Sequence, residues 1–209
     1  MSNKEGILIV ISGFSGAGKG TLMKRLLSDY DEFALSISMT SRGMREGEEN
    51  GREYFFVTRE EFEQAIEEDK LLEHAEYCGN YYGTPKAYVE DKLKEGKNVI
   101  LEIEVQGAMQ IRKKFPRALL LYVTPPSIAE LERRLKARGT ETDEVIARRL
   151  AQAKNEVNYI HDYDYLVIND NLDECVKEMY GITCASVFEI KRQNEMISEL
   201  KTELAELKF

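Results

Sequence analysis

A glycine-rich segment near the start of the chain has the composition needed to bind phosphate. Its seven residues, Gly13-Phe-Ser-Gly-Ala-Gly-Lys19, follow an apolar run and precede an amphipathic pattern over 21–27. Glycines let backbone N–H groups converge on an anion because no Cβ atom stands in the way, and the positive end of the following helix adds to this attraction. Lys19 supplies a full charge for the outer phosphates. The segment therefore predicts a P-loop for a nucleoside triphosphate.

The same loop contains a candidate metal ligand. The position after the lysine, where such loops usually carry a hydroxyl residue, is Gly20, and Thr21 follows it. Mg²⁺ binds oxygen ligands and retains several waters, so we expect Thr21 to contact an ion that bridges the outer phosphates. The residues assigned to the triphosphate are Gly13, Ser15, Gly16, Ala17, Gly18, Lys19, Gly20 and Thr21.

Arginines form two groups outside the apolar runs, as expected for two anionic substrates. Arg42 and Arg45 flank a charged, glycine-containing segment, and the second group surrounds the Gly139-Thr140 pair. Guanidinium groups bind phosphate through two parallel hydrogen bonds. Any single arginine on a helix could instead be solvated, so the prediction depends on the grouping. The second group consists of Arg134, Arg138, Arg148 and Arg149.

Composition limits the classes of protein that fit. The 209 residues are 43% hydrophobic and carry a formal net charge of −9, which argues against binding nucleic acid or an anionic membrane through bulk charge. No apolar run approaches the roughly 20 residues that span a bilayer, and no signal pattern opens the chain. Cys78, Cys175 and Cys184 lack the spacing of a zinc site and are expected to be reduced thiols. We therefore expect a cytoplasmic protein.

Apolar runs alternate with amphipathic patterns, which predicts an α/β fold with a largely parallel sheet. Helix starts are indicated by capping-box spacing at Thr58 and at Ser127, and by two acidic residues directly after Thr142. The predicted strands are Ile7–Ser12, Val99–Val105, Leu119–Thr124 and Tyr165–Asn169.

Two carboxylates interrupt the predicted strand Val99–Val105. Glu102 and Glu104 would share the face opposite its apolar residues, near the carboxyl end, where open α/β sheets bind ligands. We expect one of them to orient water around Mg²⁺, with Glu102 as the first choice, and the other to contact the nucleotide site. Pairing with a core arginine is the alternative.

Two regions differ from the alternating pattern. Ser36–Phe56 contains Asn50-Gly51 between two β-like runs, so we expect a small antiparallel insert there. Beyond Val187, residues seven apart predict an amphipathic helix, which either packs on its own core or associates with another copy. The two rows are Ile190, Ile197 and Leu204, and Gln193, Leu200 and Leu207.

Five further segments, together with the P-loop, resemble those of the guanylate kinases, a family of P-loop nucleoside monophosphate kinases. They are Ser36–Val57, Gly79–Thr84, Leu101–Gly107, Arg138–Glu141 and Val167–Asp170. The resemblance covers about residues 5–187 and implies a P-loop NTPase fold, with a parallel sheet core flanked by helices, a small mixed α/β GMP-binding insert and a helical lid. It implies Mg²⁺-dependent transfer of the terminal phosphoryl group of ATP to GMP.

The resemblance also implies a division of the chain. The guanylate kinase-like domain would span 1–187, with a core formed by 1–35, 86–130 and 156–187. The insert would comprise 36–85 and the lid 131–155, and 188–209 would form a helical extension.

Roles follow from the resemblance for the residues that match its motifs. Those expected to bind guanine are Ser38, Glu73 and Thr84. Those expected to hold the GMP phosphate are Arg42, Arg45, Tyr54 and Tyr82. Those expected to act at the transferring phosphoryl group are Lys19, Arg42, Arg138 and Arg149. Those expected beside ATP are Arg134 and Asn169, with Asn169 near the adenine.

The chemistry of guanine is consistent with these roles. Its N1–H and N2–H₂ donors are adjacent, so one carboxylate such as Glu73 can accept from both, whereas adenine presents an acceptor at N1. A buried polar group left unpaired costs roughly 1–3 kcal/mol, which favours GMP over AMP. A non-catalytic guanylate-kinase-like binding module and a kinase for another nucleoside monophosphate are the alternatives. The partners expected are ATP and GMP, with a homo-oligomer possible through the C-terminal helix.

Overall fold

The computed structural model describes residues 5–77, 79–137 and 142–207. The strands are β1 (Leu8–Gly13), β2 (Phe33–Leu35), β3 (Met39–Thr40), β4 (Phe55–Phe56), β5 (Leu71–Tyr77), β6 (Asn80–Pro85), β7 (Asn98–Glu102), β8 (Leu119–Thr124) and β9 (Tyr165–Ile168). The helices are α1 (Lys19–Asp29), α2 (Arg59–Glu67), α3 (Lys86–Lys94), α4 (Val105–Lys114), α5 (Ile128–Ala137), α6 (Asp143–Glu156), α7 (Leu172–Ser186) and α8 (Asn194–Glu206).

Five strands form a parallel core sheet in the order β2-β7-β1-β8-β9. Helices cover both faces, so that Ile9 and Ile11 pack with α1 and α7, whereas Val10 packs with α3 and α4. A strand buried on both faces requires a nearly continuous apolar run, which made β1, β7 and β8 recognisable in the sequence. β9 at the sheet edge has an apolar run as well, although only its Val167 is buried. The predicted α/β fold with a parallel sheet is confirmed.

A second, four-stranded sheet has the order β4-β3-β6-β5 and faces the carboxyl edge of β1 across a cleft. Its own small core is formed by Phe62 and Ala65 of α2 and by Leu71. The insert is a separate sheet as predicted, but antiparallel pairing within Ser36–Phe56 is wrong, because β3 and β4 pair in parallel. The antiparallel partners come from later in the chain, where β6 pairs with both β3 and β5.

The strand predicted over Val99–Val105 is shorter than expected. β7 ends at Glu102, and Val105 is the first residue of α4. Glu104 occupies the N-cap position with an extended backbone, so the two carboxylates do not share a strand face. Val99, Ile100 and Leu101 are all buried, which removes the period-two alternation on which that prediction depended.

The predicted helix starts are present. Thr58 forms a complete capping box, because its side chain accepts from the Glu61 amide at 3.1 Å and its own amide donates to the Glu61 carboxylate at 2.7 Å. The Ser127 hydroxyl accepts from the Glu130 amide at 3.1 Å. Thr142 lies at the N-cap of α6, although its side chain makes no capping hydrogen bond.

The C-terminal helix does not pack on the core. No residue of α8 is buried, and Met196, Leu200 and Leu204 are each about half exposed or more. The predicted seven-residue repeat is also interrupted, because Ile190 belongs to a separate 3₁₀ turn before α8. The interpretation in which this helix packs on its own core is therefore wrong, and association with another copy stays a prediction. None of the helices described here has both the length and the apolar composition needed to cross a membrane.

Candidate active site

The glycine-rich segment forms a loop between β1 and the N-terminus of α1. Gly16 and Gly18 have φ angles of 97° and 90°, which side chains with a Cβ atom rarely adopt. A Cβ atom at Gly13 would collide with the Val123 carbonyl group of the neighbouring strand β8. These positions therefore require glycine, and the loop keeps its backbone amides at the start of a helix.

Lys19 is the first residue of α1 and extends back along the loop. Its ammonium group donates to the Gly13 carbonyl oxygen at 2.7 Å and to that of Phe14 at 3.3 Å. These contacts hold the charge over the concave side of the loop, where phosphate oxygens would lie. Gly20 and Thr21 follow in the first turn and are exposed, so the Thr21 hydroxyl is accessible.

Three side chains from other elements fix the outer side of the loop. Asn169, which directly follows β9, is buried and donates to the Ala17 carbonyl oxygen at 2.8 Å. Arg134 of α5 donates to the same oxygen at 3.4 Å and also forms an ion pair with Glu130. Arg149 of α6 donates to the Ser15 hydroxyl. Arg134 and Arg149 therefore reach the loop, whereas the neighbouring Arg148 is exposed and Arg138 lies outside the described residues.

A cavity of about 360 Å³ lies between the loop and the second sheet. It brings together eight residues singled out from the sequence and five others. The eight are Gly13, Lys19, Ser38, Tyr54, Glu73, Tyr82, Glu102 and Glu104, and the five are Ala75, Gly83, Ile103, Val105 and Glu156. A space of this size lined by carboxylates, phenols and one lysine is suited to a polar ligand of nucleotide dimensions.

Glu73 is the most unusual group in this cavity. It lies on β5 and is only 4% exposed, and Thr84 of β6 donates to its carboxylate at 2.7 Å. Burial raises the pKa of Glu73 from its ordinary value of 4.5 to about 7, against the opposing effects of the Thr84 hydrogen bond and the Lys114 charge. A buried carboxylate that lines the cavity and keeps accepting lone pairs beyond its Thr84 hydrogen bond suits the adjacent N–H donors of guanine.

Gly107 of α4 sets the position of this carboxylate. A Cβ atom there would collide with Oε2 of Glu73 and would lie 3.0 Å from its Cδ. We therefore expect Gly107→Ala to turn the carboxylate away and to lower kcat/KM for GMP on the order of a hundredfold. The KM for ATP should stay within about twofold, because the P-loop is not touched; steady-state kinetics measure both.

The matched control is Gly181→Ala in α7, where nothing lies within 4 Å of the added Cβ atom. That change should leave the kinetics unaltered and stabilise the helix by up to about 1 kcal/mol. If Gly107→Ala had the same kinetics with GMP as the wild type, the position of the Glu73 carboxylate would not matter for the reaction with GMP.

Arg42 lies beside the cavity with its guanidinium group ordered. It forms two hydrogen bonds with the Glu48 carboxylate, at 2.8 and 3.0 Å, and lies over the rings of Tyr54 and Phe56 at 5.3 and 5.6 Å. A carboxylate matches the same two donors that would bind a phosphate edge. The Arg45 backbone amide donates to the Glu48 carboxylate, whereas the Arg45 side chain is exposed and does not line the cavity.

Two phenols separate Arg42 from the carboxylates at the end of β7. The rings of Tyr54 and Tyr82 pack edge to face with centroids 6.0 Å apart. Burial and the neighbouring Tyr82 raise the pKa of Tyr54, so its hydroxyl remains a hydrogen-bond donor at neutral pH. Glu102 lines the cavity. Its partial burial raises the pKa of the carboxyl group, although the positive charge of Lys19 opposes this shift.

The sequence did not indicate two polar groups on this side of the cavity. Glu156, the last residue of α6, lines the cavity, and Gln152 one turn earlier donates to Glu156 at 2.7 Å and to Glu104 at 3.2 Å. The available signal was spacing, because Arg149, Gln152 and Glu156 are three and four residues apart and share a helix face.

A P-loop at the carboxyl edge of a parallel sheet, with a nucleotide-sized cavity beside it, defines a P-loop NTPase. Within that class the chain belongs to the guanylate kinase family, whose model, Guanylate kinase, matches residues 5–186.

Individual relatives agree with this assignment. A guanylate kinase of Bacillus subtilis (strain 168) is 52% identical over 183 residues, which cover 87% of this chain and 90% of that protein. A guanylate kinase of Clostridium perfringens (strain 13 / Type A) is 48% identical over 199 residues, or 95% and 92% of the two chains. The crystal structure of guanylate kinase from Anaplasma phagocytophilum superposes with a TM-score of 0.73 at 30% identity, covering 90% of each chain.

Proposed function

We propose that this protein phosphorylates GMP, and dGMP as well, by transferring the terminal phosphoryl group of ATP, with ADP and GDP as the products from GMP. Such an enzyme serves purine nucleotide metabolism and GMP recycling in the cytoplasm. The observation that carries the proposal is that the Glu73–Thr84 pair and Lys19 adjoin one cavity, with an arginine held at its margin. Family membership supports the same reaction.

Glu73 and Thr84 would recognise the base. Thr84 occupies Oε1 of Glu73, which leaves the carboxylate free to accept from guanine on its other side. Ser38 lines the same cavity and offers a hydroxyl to the base edge. AMP would place an acceptor against this carboxylate and would leave it unpaired.

The GMP phosphate would be held by Arg42, Tyr54 and Tyr82, with Arg45 joining after a movement of its side chain. In this structure the Glu48 carboxylate accepts from both terminal nitrogens of Arg42, so GMP would exchange one anion for another at this position. Such an exchange preserves the ordered guanidinium group and avoids leaving it unpaired in the ligand-free protein.

Transfer itself would depend on position and charge. Lys19 and the loop amides would bind the outer phosphates of ATP, while Arg149 and Arg138 would neutralise charge on the transferring group. Arg134 and Asn169 would shape the ATP side through the Ala17 carbonyl group. The bond to the leaving ADP oxygen breaks as the GMP phosphate oxygen bonds to phosphorus, and no protein nucleophile is needed.

Mg²⁺ fits the donor groups at the loop. Thr21 offers an exposed hydroxyl and Glu102 lines the cavity beside Lys19, so these two side chains offer the oxygen atoms that Mg²⁺ prefers. Across the described ranges, no group of three acidic, histidine or cysteine side chains could hold a metal alone. The ion would therefore bind with ATP, through its phosphates, Thr21 and water held by Glu102, and would supply charge neutralisation.

The proposed domain boundaries agree with these roles in GMP binding, ATP binding and phosphoryl transfer. Residues 36–85 would form the GMP-binding insert and 131–155 the lid, and both would close on the core formed by 1–35, 86–130 and 156–187. Closure would exclude water, which otherwise competes with GMP as the acceptor. The extension would be 188–209.

The reaction is tested by following the phosphoryl group that is transferred from ATP. Incubation with ATP labelled in its terminal phosphate, Mg²⁺ and GMP should place the label in the β-phosphate of GDP, with none bound covalently to the protein. Release of labelled inorganic phosphate alone would show an ATPase, and no release would favour a non-catalytic binding module.

The C-terminal helix is proposed to associate with a second copy. Met196, Leu200 and Leu204 leave apolar surface exposed on α8, and burying it would gain roughly 25 cal/mol per Å². We expect the full chain to sediment as an oligomer and a chain that ends at Val187 to sediment as a monomer. The shortened chain should retain kinase activity because the assigned site residues precede Val187. An unchanged mass per particle would contradict this proposal.

A further inference from the structure

One hydrogen-bonded group in the cavity wall has no place in the roles assigned above. Gln152 of α6 uses a single amide nitrogen to bridge two carboxylates, Glu104 Oε2 at 3.2 Å and Glu156 Oε1 at 2.7 Å. Both carboxylates line the cavity. The bridge joins residues 48 positions apart in the chain, since Glu104 lies at the start of α4. It therefore connects a helix proposed to belong to the lid with the sheet edge on the GMP side.

Two neighbouring carboxylates repel one another, and a hydrogen-bond donor between them offsets this repulsion. Burial raises the pKa of Glu156 and the negative charge of Glu104 adds to this, whereas the Gln152 hydrogen bond and the charge of Lys19 oppose it. Each hydrogen of the amide satisfies one carboxylate and offsets the repulsion between them. Without the amide, Glu104 would turn toward solvent, because its side chain makes no capping hydrogen bond with α4.

The helix that carries Gln152 packs on the core and contacts the P-loop in this conformation. Ile146 and Ala153 of α6 are buried in the same cluster as Phe14 and Tyr122. Arg149, one turn before Gln152, contacts Ser15 of the P-loop. In this conformation Gln152 is therefore presented to Glu104 from a helix face that packs on the core, so the amide can determine the direction of the Glu104 carboxylate.

The donors of GMP limit what Glu104 could bind. GMP offers the N–H groups of its base and the hydroxyl groups of its ribose, and Glu73 takes the base edge in the proposed function. We propose that Gln152 is a positioning residue for GMP, which holds the Glu104 carboxylate toward the cavity so that it accepts a hydrogen bond from a ribose hydroxyl group. This inference rests on the proposed function and extends it to a residue on the opposite wall.

Replacement of Gln152 by methionine tests the inference. Gln152→Met keeps the length and helix propensity of the side chain but removes both donors. We expect the KM for GMP to rise about tenfold, as for a lost hydrogen bond to a charged group, while the KM for ATP stays within about twofold and kcat within about threefold. Gln152→Glu, which places a third carboxylate beside two others, should raise the KM for GMP further.

The matched control is Gln64→Met. Gln64 makes the same kind of pair, with Glu68 four residues later at 2.8 Å, on the exposed side of α2. Its loss should leave both KM values unchanged. In addition, Glu104→Ala should raise the KM for GMP by itself, and adding Gln152→Met to it should cause no further rise, because the amide acts through that carboxylate.

The outcomes separate this inference from the function on which it rests. Rates are measured well below the thermal midpoint of each variant, so a stability loss alone cannot imitate a KM effect. A GMP KM in Gln152→Met and Gln152→Glu within twofold of wild type overturns the inference, as does an equal rise for ATP, which would indicate a general loosening of α6. A wild-type protein that does not phosphorylate GMP overturns the proposed function and this inference together.

Discussion

Lys19→Ala should lower the rate of phosphoryl transfer from ATP to GMP by about a thousandfold. The ammonium group is held over the P-loop by the carbonyl oxygens of Gly13 and Phe14, so its charge is in place before ATP binds. Removing it deletes a preorganised positive charge at the position where negative charge develops during transfer. GMP affinity should be retained within a few-fold, because the base pocket at Glu73 is separate; calorimetric titration measures it.

Lys24→Ala is the matched control for that variant. Lys24 lies on the same helix, α1, but is exposed and faces away from the core. Its removal should change neither the rate nor GMP binding. A Lys19→Ala enzyme within tenfold of the wild-type rate would show that the glycine-rich loop does not hold the transferring phosphate.

Glu73→Gln should have the second large effect, on the choice of acceptor. The amide keeps the size of the carboxylate but replaces one acceptor oxygen with a donor, which then faces a guanine donor. We expect kcat/KM for GMP to fall by about 100- to 1000-fold, with little change for AMP, because only GMP loses matched hydrogen bonds. Steady-state kinetics with both acceptors provide the measurement.

Glu76→Gln makes the same chemical change on the same strand, β5, where the side chain is exposed. It should leave the kinetics with both acceptors unaltered. Equal losses for GMP and AMP in Glu73→Gln would contradict a role in guanine recognition and would indicate damage to the fold.

Stability provides an independent readout of Glu73. Its pKa is about 7 in the folded protein against an ordinary 4.5, so between these values the folded state binds more protons than the unfolded state. The wild-type free energy of unfolding is therefore expected to lose about 3 kcal/mol from this group as pH rises through that window. In the Glu73→Gln variant, the side chain at this position does not titrate in that pH range. Its stability relative to wild type should rise between these pH values and then level off, as urea unfolding without GMP would show.

The core and the P-loop could be predicted from the sequence because their determinants are local. The apolar run before Gly13, the glycines and Lys19 are contiguous, and a buried parallel strand leaves a continuous apolar signature. The capping box at Thr58 is likewise contained within four residues.

The structures of the insert and of the end of β7 could not be predicted in the same way, because they depend on partners that are distant in sequence. β3 and β4 are two residues each and pair with one another in parallel, and their sheet is completed by β6, about 40 residues after β3. The Asn50-Gly51 turn is present without joining two hairpin strands. Glu102 and Glu104 were expected on one face of a longer strand, yet both line the cavity because the chain turns into α4 between them.

Glu73 shows a second limit of the sequence. Its carboxylate is buried because β6 supplies Thr84 and α4 supplies Gly107, and neither neighbour is visible in the local pattern around β5. The family resemblance identified the residue, whereas only the fold shows why its pKa is raised. Gln152 gave no chemical signal of its own, since a glutamine on an amphipathic helix is usually an exposed residue.

Initial rates with each of five acceptors test the central claim most directly. Wild-type protein, ATP and Mg²⁺ are combined separately with GMP, AMP, CMP, UMP and dTMP, and ADP release is followed. A buried carboxylate that accepts two guanine donors predicts a kcat/KM for GMP about a thousandfold or more above that for AMP. Activity with AMP equal to or greater than that with GMP would contradict guanine recognition by Glu73, and no activity with any acceptor would contradict the kinase function itself.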